Sequence, residues 1–329
     1  MRHLSFSLIS ILLITTACSF SDSSQNEVDE RKLVMQRVDD AVKAKDYAAL
    51  NAMEQEFLTQ QSRTPGGQWK LTWFYTGFSN SMPIEPATGC RNNLQSFASG
   101  WAKAFPREPA PPIIEANSLV NYGACMRGEE AASRTAGSSL AIFESYGKAA
   151  KQLLESRRAT ASLDPEYYAV MIRAFGAIGS NQSAVLRLVD EATARQPYYY
   201  ETYASAAHYF MPQWYGSWAD IDSLGRYAVR HTEQKEGSGA YARVMWSLEE
   251  WGGLDLQAVD WPTMAQSMED IYKVYPTDWN AASIMKFACE KGDRALAAKY
   301  AAKRSAQDWL AWSDQSEWQT CSDFAKGYL

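Results

Sequence analysis

The sequence predicts an all-α protein in which antiparallel helix pairs stack into an irregular array. Three observations support this prediction. Apolar residues recur at helical spacing from Asp29 onward, residues typical of helix starts and ends stand where this spacing begins and stops, and strand-like alternation is nearly absent. Because an amphipathic helix pair of this size cannot bury its apolar face alone, the pairs are expected to pack on one another.

The helical spacing is clear in six stretches of the chain. In each of them, apolar residues recur mainly at intervals of three, four or seven, which places them on one stripe of a helix. The stretches contain Val34, Val38, Ala41 and Val42; Leu50, Met53 and Phe57; Leu140, Phe143, Ala150 and Leu153; Tyr168, Met171, Ile172 and Phe175; Ile221, Leu224 and Ala228; and Met264, Met268, Ile271 and Tyr275.

Residues at the ends of these stretches agree with helix boundaries. Asp164 is placed to cap a helix that has Pro165 at its first position. Ser217 and Asp220 have the spacing of a capping box. The Gly292-Asp293 pair is expected to end one helix and to cap the next. Since the connections are short, neighbouring helices should pack antiparallel.

Helix pairs are expected to begin near Pro165, Pro197, Gly239 and Pro276, at intervals of 32, 42 and 37 residues. These intervals scatter around the tetratricopeptide length of about 34 residues, without its fixed sequence pattern. We therefore predict an irregular tetratricopeptide-like array. A sub-boundary is expected near 62–86, where a proline–glycine turn precedes an aromatic-rich stretch.

The N-terminal residues resemble a bacterial lipoprotein signal. A positively charged start is followed by an apolar stretch from Leu4 to Ile14 and by the small residues that precede Cys18. A run of this length is typical of a secretory signal and is too short for a retained membrane-spanning helix. The resemblance implies that residues 1–17 are removed and that the thiol of Cys18 is acylated at the mature N-terminus. Thr15 stands where such signals prefer Leu.

The residues after Cys18 predict where the protein resides. The polar, serine-rich stretch 18–28 is expected to tether the lipid to a helical domain over 29–329. Ser19, rather than Asp, follows the acylated cysteine, and in lipoproteins resembling this one it usually directs the product to the outer membrane. The chain is therefore expected to contact the membrane through its lipid anchor and to face the periplasm.

Composition and the length of apolar runs argue against three classes of protein: nucleic-acid-binding, disordered and membrane-spanning. The formal net charge is −6, and phosphate binding requires a clustered basic face, so no nucleic-acid partner is expected. An apolar content of 46% is too high for a disordered chain. No apolar run after the signal approaches the roughly 18 residues that span a bilayer.

The cysteine count predicts two disulfides. Four cysteines remain once Cys18 is assigned to lipid, and an even number in an oxidising compartment favours pairing. Of the three connectivities we favour Cys90–Cys125, because the start of one helix lies beside the end of its antiparallel neighbour, and Cys289–Cys321, two helices apart. No metal is expected, since zinc sites usually place cysteines two to four residues apart.

No catalytic residue and no cofactor are predicted. The chain has no nucleophile elbow, no phosphate-binding loop and no dinucleotide fingerprint. Four carboxylates are candidates for an acid–base pair of the glycosidase kind, but they are more typical of helix caps and solvated helix faces. They are Asp220, Asp222, Glu249 and Glu250.

An aromatic stretch between residues 208 and 218 is the main candidate ligand or partner surface. Its aromatic side chains could form a platform for a sugar face or a peptide, and the alternative is that they fill the gap between helices at a turn. The candidates are His208, Trp214, Tyr215 and Trp218. Five more tryptophans are interpreted as interhelical packing first and as a ligand platform second: Trp246, Trp251, Trp309, Trp312 and Trp318.

Four segments together resemble a bacterial family, domain of unknown function 4034, which is tetratricopeptide-like. The similarity covers roughly residues 30–325 and implies a helical architecture in an envelope or secreted setting. The family has no known catalytic residues that could be assigned to positions of this sequence. The segments are Thr64-Pro-Gly-Gly-Gln-Trp-Lys-Leu, Pro197-Tyr-Tyr-Tyr-Glu-Thr-Tyr, Met211-Pro-Gln-Trp-Tyr-Gly-Ser-Trp and Gly239-Ala-Tyr-Ala-Arg-Val.

Two functions are consistent with these features. The first is a non-catalytic scaffold, anchored in the envelope, whose helical array binds a protein or peptide partner in the periplasm, since such arrays present extended binding surfaces. The second is a glycan-binding or glycan-hydrolysing envelope protein that uses the aromatic platform at 208–218.

Overall fold

The computed structural model describes residues 27–91, 94–128, 130, 134–179, 181–250, 252–303, 311–312 and 314–328, with only the backbone of Glu250. The signal at 1–17, the lipidation site Cys18 and the tether up to residue 26 lie outside the described residues. Within these ranges the chain forms sixteen α-helices and no strand. The prediction of an all-α helical-repeat array is therefore confirmed.

The helices are, in chain order, α1 (Glu27–Ala44), α2 (Tyr47–Gln60), α3 (Lys70–Ser81), α4 (Gln95–Ala104), α5 (Ala110–Arg127), α6 (Gly137–Ser156), α7 (Arg158–Ala161), α8 (Glu166–Ile178), α9 (Gln182–Arg195), α10 (Tyr200–Tyr209), α11 (Trp218–Glu236), α12 (Gly239–Glu250), α13 (Trp261–Val274), α14 (Asp278–Lys291), α15 (Arg294–Ala301) and α16 (Gln315–Lys326). In the part of the chain that the structure describes, no helix is both long and apolar enough to cross a membrane.

Helix pairs stack along the chain from α8 to α15. The first helices of successive pairs, α8, α10 and α12, pack side by side, and each of α9, α11, α13 and α15 packs on the first helix of its own pair. The pairs begin at Glu166, Tyr200, Gly239 and Asp278, which are 34, 39 and 39 residues apart. The predicted pair starts are thus confirmed to within three residues, and the repeat is irregular as expected.

The N-terminal unit consists of α1, α2, α3 and the 62–69 loop that joins α2 to α3. Helix α1 packs along α3, where Gly77 allows a close approach to Val38. The unit begins earlier than predicted, because Glu27 and Val28, assigned to the tether, are already helical. Three acidic residues in the first turn favour this start through the helix dipole, and the Glu27 carboxylate also has buried partners in the loop.

The predicted helix boundaries hold with one small shift. The Ser217 hydroxyl accepts a hydrogen bond from the Asp220 N–H, and Asp293 caps α15 after Gly292, whose φ is +81°. Helix α8 begins at Glu166, one residue later than predicted. The Asp164 carboxylate accepts from the Glu166 N–H at 2.7 Å, so it caps the helix from two residues away.

Both predicted disulfides are present. Cys90 is bonded to Cys125, with 5.8 Å between their Cα atoms, and Cys289 to Cys321, with 5.6 Å. The second bond joins α14 to α16, as expected. The first starts in the loop before α4 rather than in the helix itself, because the backbone at Cys90 bonds to Glu85 in a turn. Among the described residues no group of three histidines, cysteines and carboxylates could hold a metal ion.

Candidate functional site

The 62–69 loop packs against α10, α12 and α14, the first helices of three successive pairs. We call the side of these helices that the loop contacts the inner face. The loop is a tight hairpin, in which the Thr64 N–H donates to the Gln68 carbonyl at 2.7 Å and the Lys70 N–H to the Ser62 carbonyl at 2.9 Å. Gly67 has φ of +93°, a conformation that favours glycine. The hairpin therefore projects a narrow tip toward the array.

Side chains of the array bind the backbone of this tip. Arg243 of α12 and Asn280 of α14 both donate to the Gly66 carbonyl, at 3.3 and 3.4 Å. Arg63 donates to the Gly67 carbonyl at 2.6 Å and to the Glu236 carboxylate at 3.3 Å. The chain's own loop thus occupies part of the face that a repeat array would offer to a partner.

A pocket of about 410 Å³ lies beside the loop on the inner face. Its walls come from the start of α1, from residues 66–72, from the first helices of three successive pairs and from residues 311–312. Five aromatic side chains of the described residues line it, and their rings supply most of its large apolar surfaces. They are Trp69, Tyr200, Trp246, Trp279 and Trp312.

Arg31 joins the two sides of this inner-face pocket. Its guanidinium carbon lies 4.4 Å from the ring centre of Trp73 in α3 and 4.5 Å from that of Trp279 in α14. Its Nε also donates to the Glu27 carboxylate at 2.6 Å. Cation–π contacts of this length are stabilising, so Arg31 fixes Trp279 as a wall of the pocket.

The other charged groups of the pocket are paired as well. Arg243 pairs with Glu236 at 3.0 Å, and Lys286 of α14 pairs with Glu249 of α12. Glu201 of α10 contacts Arg173 at 3.5 Å. The pocket therefore combines aromatic faces with charges that are already balanced inside the protein.

Two polar atoms in the pocket wall lack hydrogen bonds. The indole N–H of Trp69 and the amide oxygen of Gln68 are buried and have no partner within the described part of the chain. An unsatisfied buried polar group costs about 1–3 kcal/mol. Buried polar atoms usually pair with protein groups or ordered water, and both of these atoms belong to the loop that forms one side of the pocket.

The predicted aromatic surface at 208–218 lies elsewhere, at the C-terminal end of α10 and the turn after it. None of its four candidates is among the residues that line the inner-face pocket. Their rings contact other side chains: the ring centres of His208 and Trp214 are 5.6 Å apart, and those of Tyr209 and Tyr215 are 4.9 Å apart. Trp218 starts α11 and packs against the core.

Further contacts fill this turn. The Arg127 guanidinium lies 4.7 Å from the ring centre of Trp214, and the Tyr215 hydroxyl donates to the Gly176 carbonyl at 2.8 Å. Burial lowers the pKa of His208 to about 4. These contacts agree with the packing interpretation of the stretch, and its role as a ligand surface stays a prediction.

Among the other sequence candidates that the structure describes, Trp246, Trp312 and Glu249 line the pocket. Asp220 caps α11, and Asp222 pairs with Arg226 at 2.8 Å. Trp318 packs against the core. Trp251, Trp309 and the Glu250 side chain lie outside the described residues.

Sequence reasoning missed most of the pocket. Residues of the pocket, most of them polar or aromatic, recur at helical spacing on the first helix of three successive pairs. That second periodicity was a signal that could have located the inner face. Its members are Tyr200, Glu201 and Ala204; Arg243, Trp246 and Ser247; and Trp279, Asn280, Ser283 and Lys286.

No family model, no curated protein and no solved structure matches this chain. The resemblance to domain of unknown function 4034 therefore remains a prediction from its motifs. Three of the four segments that carry it, at 64–71, 197–203 and 239–244, contribute residues to the pocket.

Proposed function

We propose that this protein is a non-catalytic binding protein of the bacterial envelope that holds a short glycan in the inner-face pocket. In this proposal Cys18 carries the lipid anchor, and the helical domain faces the periplasm from the outer membrane. The observation that carries the proposal is the pocket lining, which combines several indole rings with charges that are paired within the protein.

The lining suits a neutral polar ligand that also has apolar faces. A sugar ring stacks its C–H face on an indole and presents hydroxyls at its edge. Trp246 and Trp279 would provide the rings. Ser247 and Ser283, which also line the pocket, would accept hydrogen bonds from hydroxyls. Their own hydroxyl protons are donated to backbone carbonyls of the same helices. Since the lining cations already have carboxylate partners, a ligand without formal charge needs no further counter-ion.

The size of the pocket also favours a small ligand. Ligand sites usually enclose about 300–1,000 Å³, and the pocket volume of about 410 Å³ falls in this range. A stable protein–protein interface covers about 800 Å² on each partner, and the loop already covers part of the inner face.

Calorimetric titration of the mature protein with peptidoglycan fragments tests the proposal. We expect saturable binding without turnover, and a loss of binding of at least tenfold in Trp279→Ala and Trp246→Ala. Trp218→Ala is the matched control, because this tryptophan belongs to the 208–218 surface, and it should bind like the wild type. Loss of binding in Trp218→Ala alone would move the site to that surface.

A second candidate function is the scaffold that binds a peptide of a protein partner. It is favoured by the way Arg243 and Asn280 hold the Gly66 carbonyl, since side chains that bind backbone can also bind a partner's backbone. A photo-crosslinking amino acid at Ser283, compared with one at exposed Ser145, tests it in intact envelopes. A protein adduct specific to position 283 would support the scaffold over the glycan site.

A further inference from the structure

Three buried carboxyl groups lie between the N-terminal unit and the array, and we call them the carboxyl cluster. Glu54 belongs to α2, Asp164 to the turn before α8, and Glu166 to the first turn of α8. Their exposed fractions are 0%, 0% and 2%. The cluster is thus sealed from solvent at the contact between the two parts of the protein.

The cluster has hydrogen bonds from both sides of this contact. The Tyr75 hydroxyl of α3 donates to Asp164 at 2.8 Å, and the Tyr199 hydroxyl donates to Glu166 at 2.7 Å. Glu54 forms no hydrogen bond of standard geometry within the described residues. Asp164 is its charged neighbour across the contact, and the Glu108 carboxylate also acts on it.

A cation lies beside one of the three carboxyl groups. Arg173 of α8 pairs with Glu166 and also contacts Glu201 of α10. Full ionisation of the cluster would therefore leave buried negative charge without a partner, which is strongly unfavourable. Consistent with this geometry, burial raises the pKa of Asp164 and of Glu166 to about 7. Burial, reinforced by the charge of Asp164, raises the pKa of Glu54 well above its usual range.

The cluster is connected to the pocket by two routes. Tyr199, which binds Glu166, packs edge-on against Trp69 with ring centres 5.6 Å apart, and Trp69 lines the pocket. Arg173 joins Glu166 to Glu201, another lining residue. The cluster is therefore linked by direct contacts to two walls of the pocket, one from the N-terminal loop and one from α10.

We propose that binding in the inner-face pocket is linked to protons taken up by the carboxyl cluster, which must not become fully ionised if the N-terminal unit is to remain docked on α8 and α10. This inference rests on the proposed function, because it describes the regulation of the same site. The ligand is held most tightly in acidic conditions, and its affinity falls as the pH rises toward neutral.

The direction of the pH dependence follows from which state of the protein binds the protons more tightly. When the N-terminal unit separates from α8 and α10, water reaches the carboxyl groups. Their pKa then returns to the ordinary range near 4. Docking is therefore fully favoured below about pH 4. It weakens as the pH rises toward about 7, the pKa of docked Asp164 and Glu166. Glu54, whose burial raises its pKa well above the usual range, acts in the same direction. Each proton released on opening raises the opening constant about tenfold per pH unit.

Hydrogen exchange of the mature chain between pH 5 and pH 8, corrected for intrinsic exchange rates, tests the linkage without any ligand. We expect the opening constant of amides in α2 and the 62–69 loop to rise at least about tenfold per pH unit up to pH 7, while α13 stays protected. Glu54→Gln should reduce this slope. Glu56→Gln, an exposed carboxyl on the same helix, is the matched control and should keep it.

Equal protection of the loop at pH 5 and pH 8 in the wild type would overturn the linkage, even if Glu54→Gln did not fold. An unchanged slope in a folded Glu54→Gln would do so too. The proposed function is judged separately, by titration with peptidoglycan fragments at pH 5.5 and pH 8. Absence of binding at both values contradicts the glycan site, and equal affinity at both contradicts only the proton linkage.

Discussion

The Glu27 carboxylate accepts a hydrogen bond from the backbone N–H of Gly66 at 2.6 Å, across 39 residues of chain. The same carboxylate accepts from the Thr64 hydroxyl at 2.9 Å, and only 1% of the Glu27 residue is exposed. A Cβ added to Gly66 would lie 2.9 Å from the Glu27 carboxyl carbon. The first residue of α1 therefore positions the loop that forms one wall of the pocket.

Replacing Glu27 by Ala should destabilise the N-terminal unit by about 3 kcal/mol, because hydrogen bonds to a charged group contribute about 1.5–3 kcal/mol each. Urea unfolding measures the change. Glu144→Ala is the matched control, since Glu144 is an exposed partner of Lys148 in α6 and surface pairs contribute about 0–1 kcal/mol. Equal losses in both variants would contradict the role of Glu27.

Replacing Gly77 by Ala should destabilise the protein by about 1–3 kcal/mol through overpacking. The new Cβ would lie 2.8 Å from the Val38 Cβ, and the α1 backbone at Met35 is 3.3 Å away. Gly176→Ala in α8 is the control, because its Cβ meets the nearest described heavy atom, in Tyr209, at an ordinary 3.8 Å.

The control variant should gain about 0.5–1 kcal/mol, since Ala stabilises a helix relative to Gly. Thermal unfolding of both variants against the wild type gives the comparison. A gain in stability for Gly77→Ala would contradict the close packing of α1 on α3.

Removing the Cys289–Cys321 bond by a double Ala substitution should cost about 3–4 kcal/mol, because the closed loop spans 32 residues. Urea unfolding in the absence and presence of reductant measures the loss. Reduction should then cost the double variant less than the wild type, since one bond fewer is left to break. Identical costs of reduction in both proteins would contradict the bond.

Protonation of His208 should lower the stability of the folded protein in acid. Its folded pKa of about 4 lies below the ordinary value near 6.5. The unfolded chain therefore binds the proton first, and the stability that neutral His208 provides above pH 6.5 is lost as the pH falls toward 4. His208→Gln should reduce this acid loss by on the order of 2 kcal/mol. An NMR midpoint near 6.5 for the His208 ring would contradict the prediction.

The fold could be predicted in large part from the sequence because its causes are local. Apolar spacing, the Ser217 cap and the Gly292-Asp293 boundary depend on residues within a few positions of one another. The cysteine pairs were predictable because each joins segments that are close in sequence, with separations of 35 and 32 residues. The early start of α1 was missed because Glu27 is held by distant partners.

The candidate site could not be predicted in the same way. Its defining contacts join residues far apart in the chain, such as Asn280 with Gly66 across 214 positions. The 208–218 stretch was predicted as a ligand surface because aromatic residues are dense in this part of the sequence. That density also serves a local purpose, since Trp214 and Tyr215 pack on neighbouring helices at the turn. Local density of aromatics does not distinguish a packed turn from a binding surface.

Hydrogen exchange of the mature protein with and without saturating peptidoglycan fragments tests the central claim most directly, because it locates the ligand along the chain. The inner-face pocket predicts new protection at 66–72, 200–204, 243–249 and 279–286, with residues 208–218 unchanged. Protection confined to 208–218, or no change at any of these segments, would contradict it.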